Sequence, residues 1–105
     1  MELNNLTAIS PVDGRYAKAA APLKAVFSEY GLIHSRATVE ITWLIQLAQS
    51  QQLNDIPSLT EQGLSSLHKL LTDFDLPAAQ RVKAIEAITN HDVKAVEYWL
   101  KESVA

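Results

Sequence analysis

The chain has 105 residues, a mass of 11.6 kDa and a formal charge of −3, which bounds it to a single domain. At this length roughly two-thirds of the unfolded surface is buried on folding, enough for a modest core. Hydrophobic residues make up 48% and charged residues 20%, so disorder is excluded, and a pI near 5.5 argues against a nucleic-acid surface.

The absence of cysteine removes disulfides and thiolate metal sites and fits a reducing compartment. Met1-Glu2-Leu3-Asn4-Asn5 has no basic start followed by an apolar run, so no secretion signal is read. No apolar stretch approaches the roughly 20 residues that span a bilayer. The expectation is a soluble, cytoplasmic protein.

Residues 1–15 carry no sustained periodicity. Within Ser10-Pro11-Val12-Asp13-Gly14-Arg15-Tyr16, the Pro and the Asp-Gly pair mark a turn. An Arg just after such a turn can meet a phosphate or carboxylate through two parallel hydrogen bonds. From Ala17 the composition turns helical, with Pro22 in the first turn of a short helix ending near Phe27. Gly31 either ends that element or sits early in the next.

Residues 32–49 form the longest apolar-periodic run. Leu32, Val39, Trp43 and Leu47 make one stripe, and Ile33, Ala37, Ile41, Leu44 and Ala48 make a second. Together they predict a helix buried on more than one side, with an Arg36–Glu40 pair on its polar face. Part of this wide face suits a cover from outside the 105 residues.

Ser50 to Pro57 reads as a polar connection, and Ser58-Leu59-Thr60-Glu61 as a helix start with Ser58 as the cap. Leu64, Leu67, Leu71 and Phe74 follow at helical spacing. Asp75-Leu76-Pro77 stops one helix and starts another, which runs to about Ile88. A last helix is predicted from Asp92 to about Ser103. The fold class is all-α: a compact bundle of about five helices with an irregular N-terminal segment.

Thr89-Asn90-His91-Asp92 lies at the seam between the last two helices. Thr89 and Asp92 fit a capping box, in which each side chain satisfies a backbone donor near the other. Capping accounts for those two residues and leaves Asn90 and His91 unexplained. The exposed N–H groups of a restarted helix also favour anionic company.

His34, His68 and His91 raise a metal reading, and His91-Asp92 is superficially similar to metal-dependent phosphohydrolases. His34 and His68 fall on separate helices without local ligand partners, so no metal and no cofactor is assigned. No Gly-rich phosphate loop, Gly-x-Ser-x-Gly or His-Glu-x-x-His pattern is present. Both tryptophans sit beside aliphatics at helical spacing and are expected in the core. Arg15-Tyr16 and Asn90-His91-Asp92 remain as groups suited to an anionic, hydrogen-bonding ligand.

Ser10-Pro-Val-Asp-Gly-Arg-Tyr16 together with Thr89-Asn-His-Asp-Val-Lys-Ala-Val-Glu-Tyr98 resembles the N-terminal region of the bacterial adenylosuccinate lyases, in the fumarase/aspartase superfamily. Phe27-Ser28-Glu29-Tyr30-Gly31-Leu32, Val39-Glu40 and Trp43-Leu44 resemble the same family, so the likeness runs along the whole chain. The resemblance implies a homotetrameric enzyme of purine biosynthesis that eliminates fumarate from adenylosuccinate, giving AMP, and from the succinocarboxamide ribotide (SAICAR to AICAR). It implies that Arg15 and Tyr16 bind substrate at the nucleotide phosphate. Asn90, His91 and Asp92 would line the same pocket, with His91 catalytic in orienting or polarising the substrate.

Family members are several times longer. Their proton-transferring His and mobile-loop Ser fall in sequence absent here, so residues 1–105 are expected to be an N-terminal helical domain, inactive alone. The alternative is a non-catalytic helical module that binds a partner through the wide apolar face around Trp43.

Overall fold

The structure, a computed structural model, describes residues 1–50 and 60–104. It divides into two units, Met1–Leu32 and Ile33–Ala105.

The first unit is built from turns. Asn4 opens it, its side-chain oxygen accepting from the N–H groups of Leu6 and Thr7 at 2.9 and 3.2 Å. The Ser10–Tyr16 turn closes through Asp13 N–H to the Ser10 carbonyl at 3.1 Å and Tyr16 N–H to the Pro11 carbonyl at 2.9 Å. A Cβ on Gly14 would meet the Asn5 carbonyl at 3.1 Å, so this position lets the first turn approach the second. The expected short helix is three pieces: α1 (Ala17–Ala20), a 3₁₀ turn (Ala21–Leu23) holding Pro22, and α2 (Lys24–Phe27). Gly31 belongs to the next helix, where a Cβ would collide with the Val26 carbonyl and lie 2.9 Å from the Ala25 oxygen.

Helix α3 spans Glu29–Gln49. In the second unit it is followed by α4 (Glu61–Thr72), α5 (Leu76–Thr89) and α6 (Asp92–Val104). The four long helices are one fewer than the expected five, and the described residues contain no strand. The predicted Ser50–Pro57 connection lies, from residue 51 on, outside the described residues. So does Ser58, and the cap of α4 is Thr60 instead, whose side chain accepts from the Gly63 N–H at 3.0 Å. Asp75 caps α5 the same way, accepting from Ala78 N–H at 3.0 Å, with Pro77 in the first turn.

The core lies in the second unit. Ile33, Ala37, Ile41, Ile45 and Ala48 of α3 are buried with Leu67, Phe74, Ala79, Val82, Ile85, Ala95, Val96 and Trp99. Each large aliphatic among them contributes about 2 kcal/mol of burial. Phe74 sits edge-on to Trp99, ring centres 5.2 Å apart, and to the His34 ring at 5.4 Å. Helices α5 and α6 pack on each other, and α4 touches α6.

Two expectations fail on α3. The buried residues of α3 are Ile33, Ala37, Ile41, Ile45 and Ala48, while Val39 and Trp43 are 65% and 61% exposed, so Trp43 is not a core residue. The described helices of this unit cover one side of α3 and leave the other open. The Arg36–Glu40 pair also gives way, because Arg36 reaches Asp92 on α6 at 3.0 Å. Among the described residues no helix is long and apolar enough to cross a membrane.

Candidate functional site

The junction of α5 and α6 is two residues, Asn90 and His91. Asn90 adopts the left-handed conformation (φ 56°, ψ 30°), the one non-glycine residue among those described with positive φ. Its N–H donates to the Glu86 carbonyl at 2.8 Å, so it ends α5 as a left-handed cap, a role Asn fills with little strain. His91 follows as the N-cap of α6. Its carbonyl accepts the first helical bond from Ala95 N–H at 3.1 Å, and its Nδ1 accepts from Lys94 N–H at 3.2 Å.

The capping-box expectation is thereby corrected. Thr89 is the last residue of α5 rather than the cap of α6, and its hydroxyl is shared between the His91 N–H and carbonyl, both at 3.3 Å. Asp92 opens α6, as the predicted Asp92–Ser103 helix has it, so it does not stand at the third helical position that a capping box requires. The two residues that capping left unexplained are the two that make the caps.

Backbone duty leaves specific groups outward. A neutral imidazole accepting at Nδ1 carries its proton on Nε2, so His91 presents a donor. The ring is 63% exposed, and its 4.0 Å approach to the Asp92 carboxylate is too long to compete with the Lys94 bond. The Asn90 amide makes no hydrogen bond to another described residue, leaving two donors and an acceptor. Asp92 differs: Oδ1 accepts from Val93 N–H at 2.8 Å and Oδ2 pairs with Arg36 at 3.0 Å. The Val93 N–H, then Arg36, hold this carboxyl below the usual carboxylate range.

Arg15 and Tyr16 belong to the first unit and are described there. The Arg15 guanidinium lies over the Tyr16 ring at 4.6 Å from its centre, and both side chains are exposed. Stacking on the ring leaves the edge of the guanidinium open for two parallel hydrogen bonds.

Elsewhere, His34 packs against Phe74, and His68 is exposed on α4. No group of three His, Asp or Glu among the described residues is placed to hold a metal ion. An apolar groove of about 740 Å³, lined by Leu44, Leu67, Leu70, Phe74 and Trp99, contains none of the candidate residues. Sequence reasoning gave Arg36 the wrong partner, for Asp92 is remote in sequence and no local spacing marks the pair.

No protein-family model matches the chain. Over its whole length it is 48% identical to an adenylosuccinate lyase of Escherichia coli, and over 104 residues 46% identical to that of Haemophilus influenzae. A Dictyostelium discoideum adenylosuccinate lyase is 44% identical over 105 residues. The chain spans about 22–23% of the length of these relatives, matching their N-terminal region.

Proposed function

We propose that this chain is the N-terminal domain of an adenylosuccinate lyase, and that the complete enzyme releases fumarate from adenylosuccinate and from SAICAR. The observation that carries the reading is whole-chain identity of 44–48% to lyases from a bacterium and an amoeba. In this reaction a base takes a proton from the succinyl carbon next to a carboxylate. The carbon–nitrogen bond then breaks, and an acid protonates the departing nitrogen.

This domain supplies binding and orientation. Arg15 clamps the nucleotide phosphate through its open guanidinium edge, with Tyr16 beside it. Asn90 and the Nε2–H of His91 donate to the substrate, His91 polarising it rather than moving the principal proton. Asp92 lines the same pocket. The positive end of α6 suits an anionic ligand. The proton-transfer pair lies in the remaining three-quarters of the protein, which operates in the cytoplasm.

The open face of α3, with Val39 and Trp43, is where further helices of the enzyme or its tetramer pack. The alternative, a non-catalytic interaction module, draws on the same face but gives Arg15 and Asn90 no task. Fumarate release from adenylosuccinate tests the reading. The full-length protein turns over and the 105-residue chain, purified free of host enzyme, does not; turnover by the chain alone would place the chemistry in this domain.

A further inference from the structure

The Arg36–Asp92 pair stands where an exposed ion pair has more effect on geometry than on stability. Arg36 projects from α3 between the buried Ile33 and Ala37, and its side chain is 27% exposed against 48% for Asp92. The guanidinium is therefore carried by the stretch of α3 whose neighbouring positions are buried. It holds the first residue of α6 through Oδ2, while Oδ1 of the same carboxylate holds the Val93 N–H at 2.8 Å. Both oxygens are spent inside the protein. Directly before them stand Asn90, fixed by its bond to the Glu86 carbonyl, and His91. The corner is thus tied at one end to α5 and at the other to α3.

The charge balance points the same way. A carboxylate one residue from groups that meet an anion repels that anion unless it is neutralised. Lys94 pairs instead with Glu97 at 3.7 Å, which leaves Arg36 as the cation engaged with Asp92.

We propose that Arg36 is a positioning residue of the substrate site, acting through Asp92 to fix the Asn90–His91 corner and to cancel the carboxylate's repulsion of an anionic substrate. This rests on the lyase reading above. It assigns Asp92 a structural carboxylate's role at the pocket wall, not a direct ligand's.

The test is steady-state fumarate release from adenylosuccinate by the full-length protein and three variants. Arg36→Gln raises KM by roughly five- to tenfold and lowers kcat, with an unfolding midpoint within about 2 °C of wild type, since an exposed ion pair adds little stability. Arg36→Lys reproduces the single nitrogen–oxygen contact and stays within about twofold of wild type. Adding Asp92→Asn to Arg36→Gln removes the uncancelled charge and recovers most of the KM, whereas a purely structural link would leave the double variant no better than the single. An active wild type with Arg36→Gln unchanged, or a double variant worse than Arg36→Gln, overturns the proposal.

A wild type that releases no fumarate overturns the lyase reading instead. The clamp is then read from amide exchange at Val93 and Lys94 in the same variants. Faster exchange in Arg36→Gln and wild-type exchange in Arg36→Lys support it; unchanged exchange in Arg36→Gln overturns it.

Discussion

The two groups of candidate residues are held by different means. Arg15 and Tyr16 sit in a unit of turns whose large apolar residues meet water: Leu6 is 96% exposed, Ile9 100% and Phe27 81%. Backbone hydrogen bonds and two close-approach glycines shape that unit, and no buried hydrophobic residue lies in it. Asn90, His91 and Asp92 sit on helices that bury Val82, Ile85, Ala95, Val96 and Trp99. One motif depends on local turn chemistry and the other on a packed core. The same ligand chemistry can therefore rest on supports of very different stiffness.

The sharpest way to break this contrast is to remove core from each unit of the 105-residue chain. Ile41→Ala empties a fully buried position and is expected to cost about 3 kcal/mol in urea unfolding. Val26→Ser, at a position 63% exposed, costs less than about 0.5 kcal/mol. Equal losses would show that the first unit is cored after all.

A smaller effect separates backbone from side-chain duty at the corner. Asn90→Ala places an ordinary residue at positive φ and is expected to lose about 1 kcal/mol, whereas Asn90→Gly is close to neutral. His91→Ala removes the acceptor for Lys94 N–H and loses about 1 kcal/mol, which His91→Ser restores as an alternative cap. Equal unfolding midpoints for His91→Ala and His91→Ser would remove the capping role.

The smallest effect is electrostatic. The Arg81 hydrogen bonds hold the Glu102 carboxyl below its ordinary range, and the Val93 N–H with Arg36 does the same for Asp92. A carboxyl depressed on folding favours the ionised folded state. Its contribution is present above the ordinary carboxylate range and is lost as pH falls through the lowered value. Glu102→Gln and Asp92→Asn should each flatten the loss of stability below about pH 4, more visibly at low salt. An unchanged acid limb in both variants would show the pairs to be energetically silent.

The same contrast explains what was legible in the sequence. Helices α4 to α6 followed from their apolar spacing, and the Ser10–Tyr16 turn from its Pro and Asp-Gly. The start of α6 at Asp92 was legible, but its capping was not, because Thr89-Asn-His-Asp satisfies a capping-box pattern that the chain does not use. Spacing records which residues are polar, but whether Thr89 continues α5 depends on the packing of α5 against α6. An imidazole serving as N-cap has no distinctive pattern, and Asn90 announces a left-handed turn only once the helix end is placed. Arg36 carried an apparent partner in Glu40 and found another in Asp92. Trp43 was misjudged because apolar periodicity shows that a face is coverable, not that the described chain covers it.

The central claim is that Asn90 and His91 each serve the backbone and the substrate, and that the two duties can be separated. Asn90→Gly and His91→Ser keep the left-handed turn and a cap while deleting the amide and the Nε2–H donor. The direct test is kcat/KM for fumarate release from adenylosuccinate by the full-length protein carrying both substitutions. The account predicts a fall of about 100-fold or more at an unchanged unfolding midpoint. Activity within about threefold of wild type would contradict it, leaving the corner as helix capping alone.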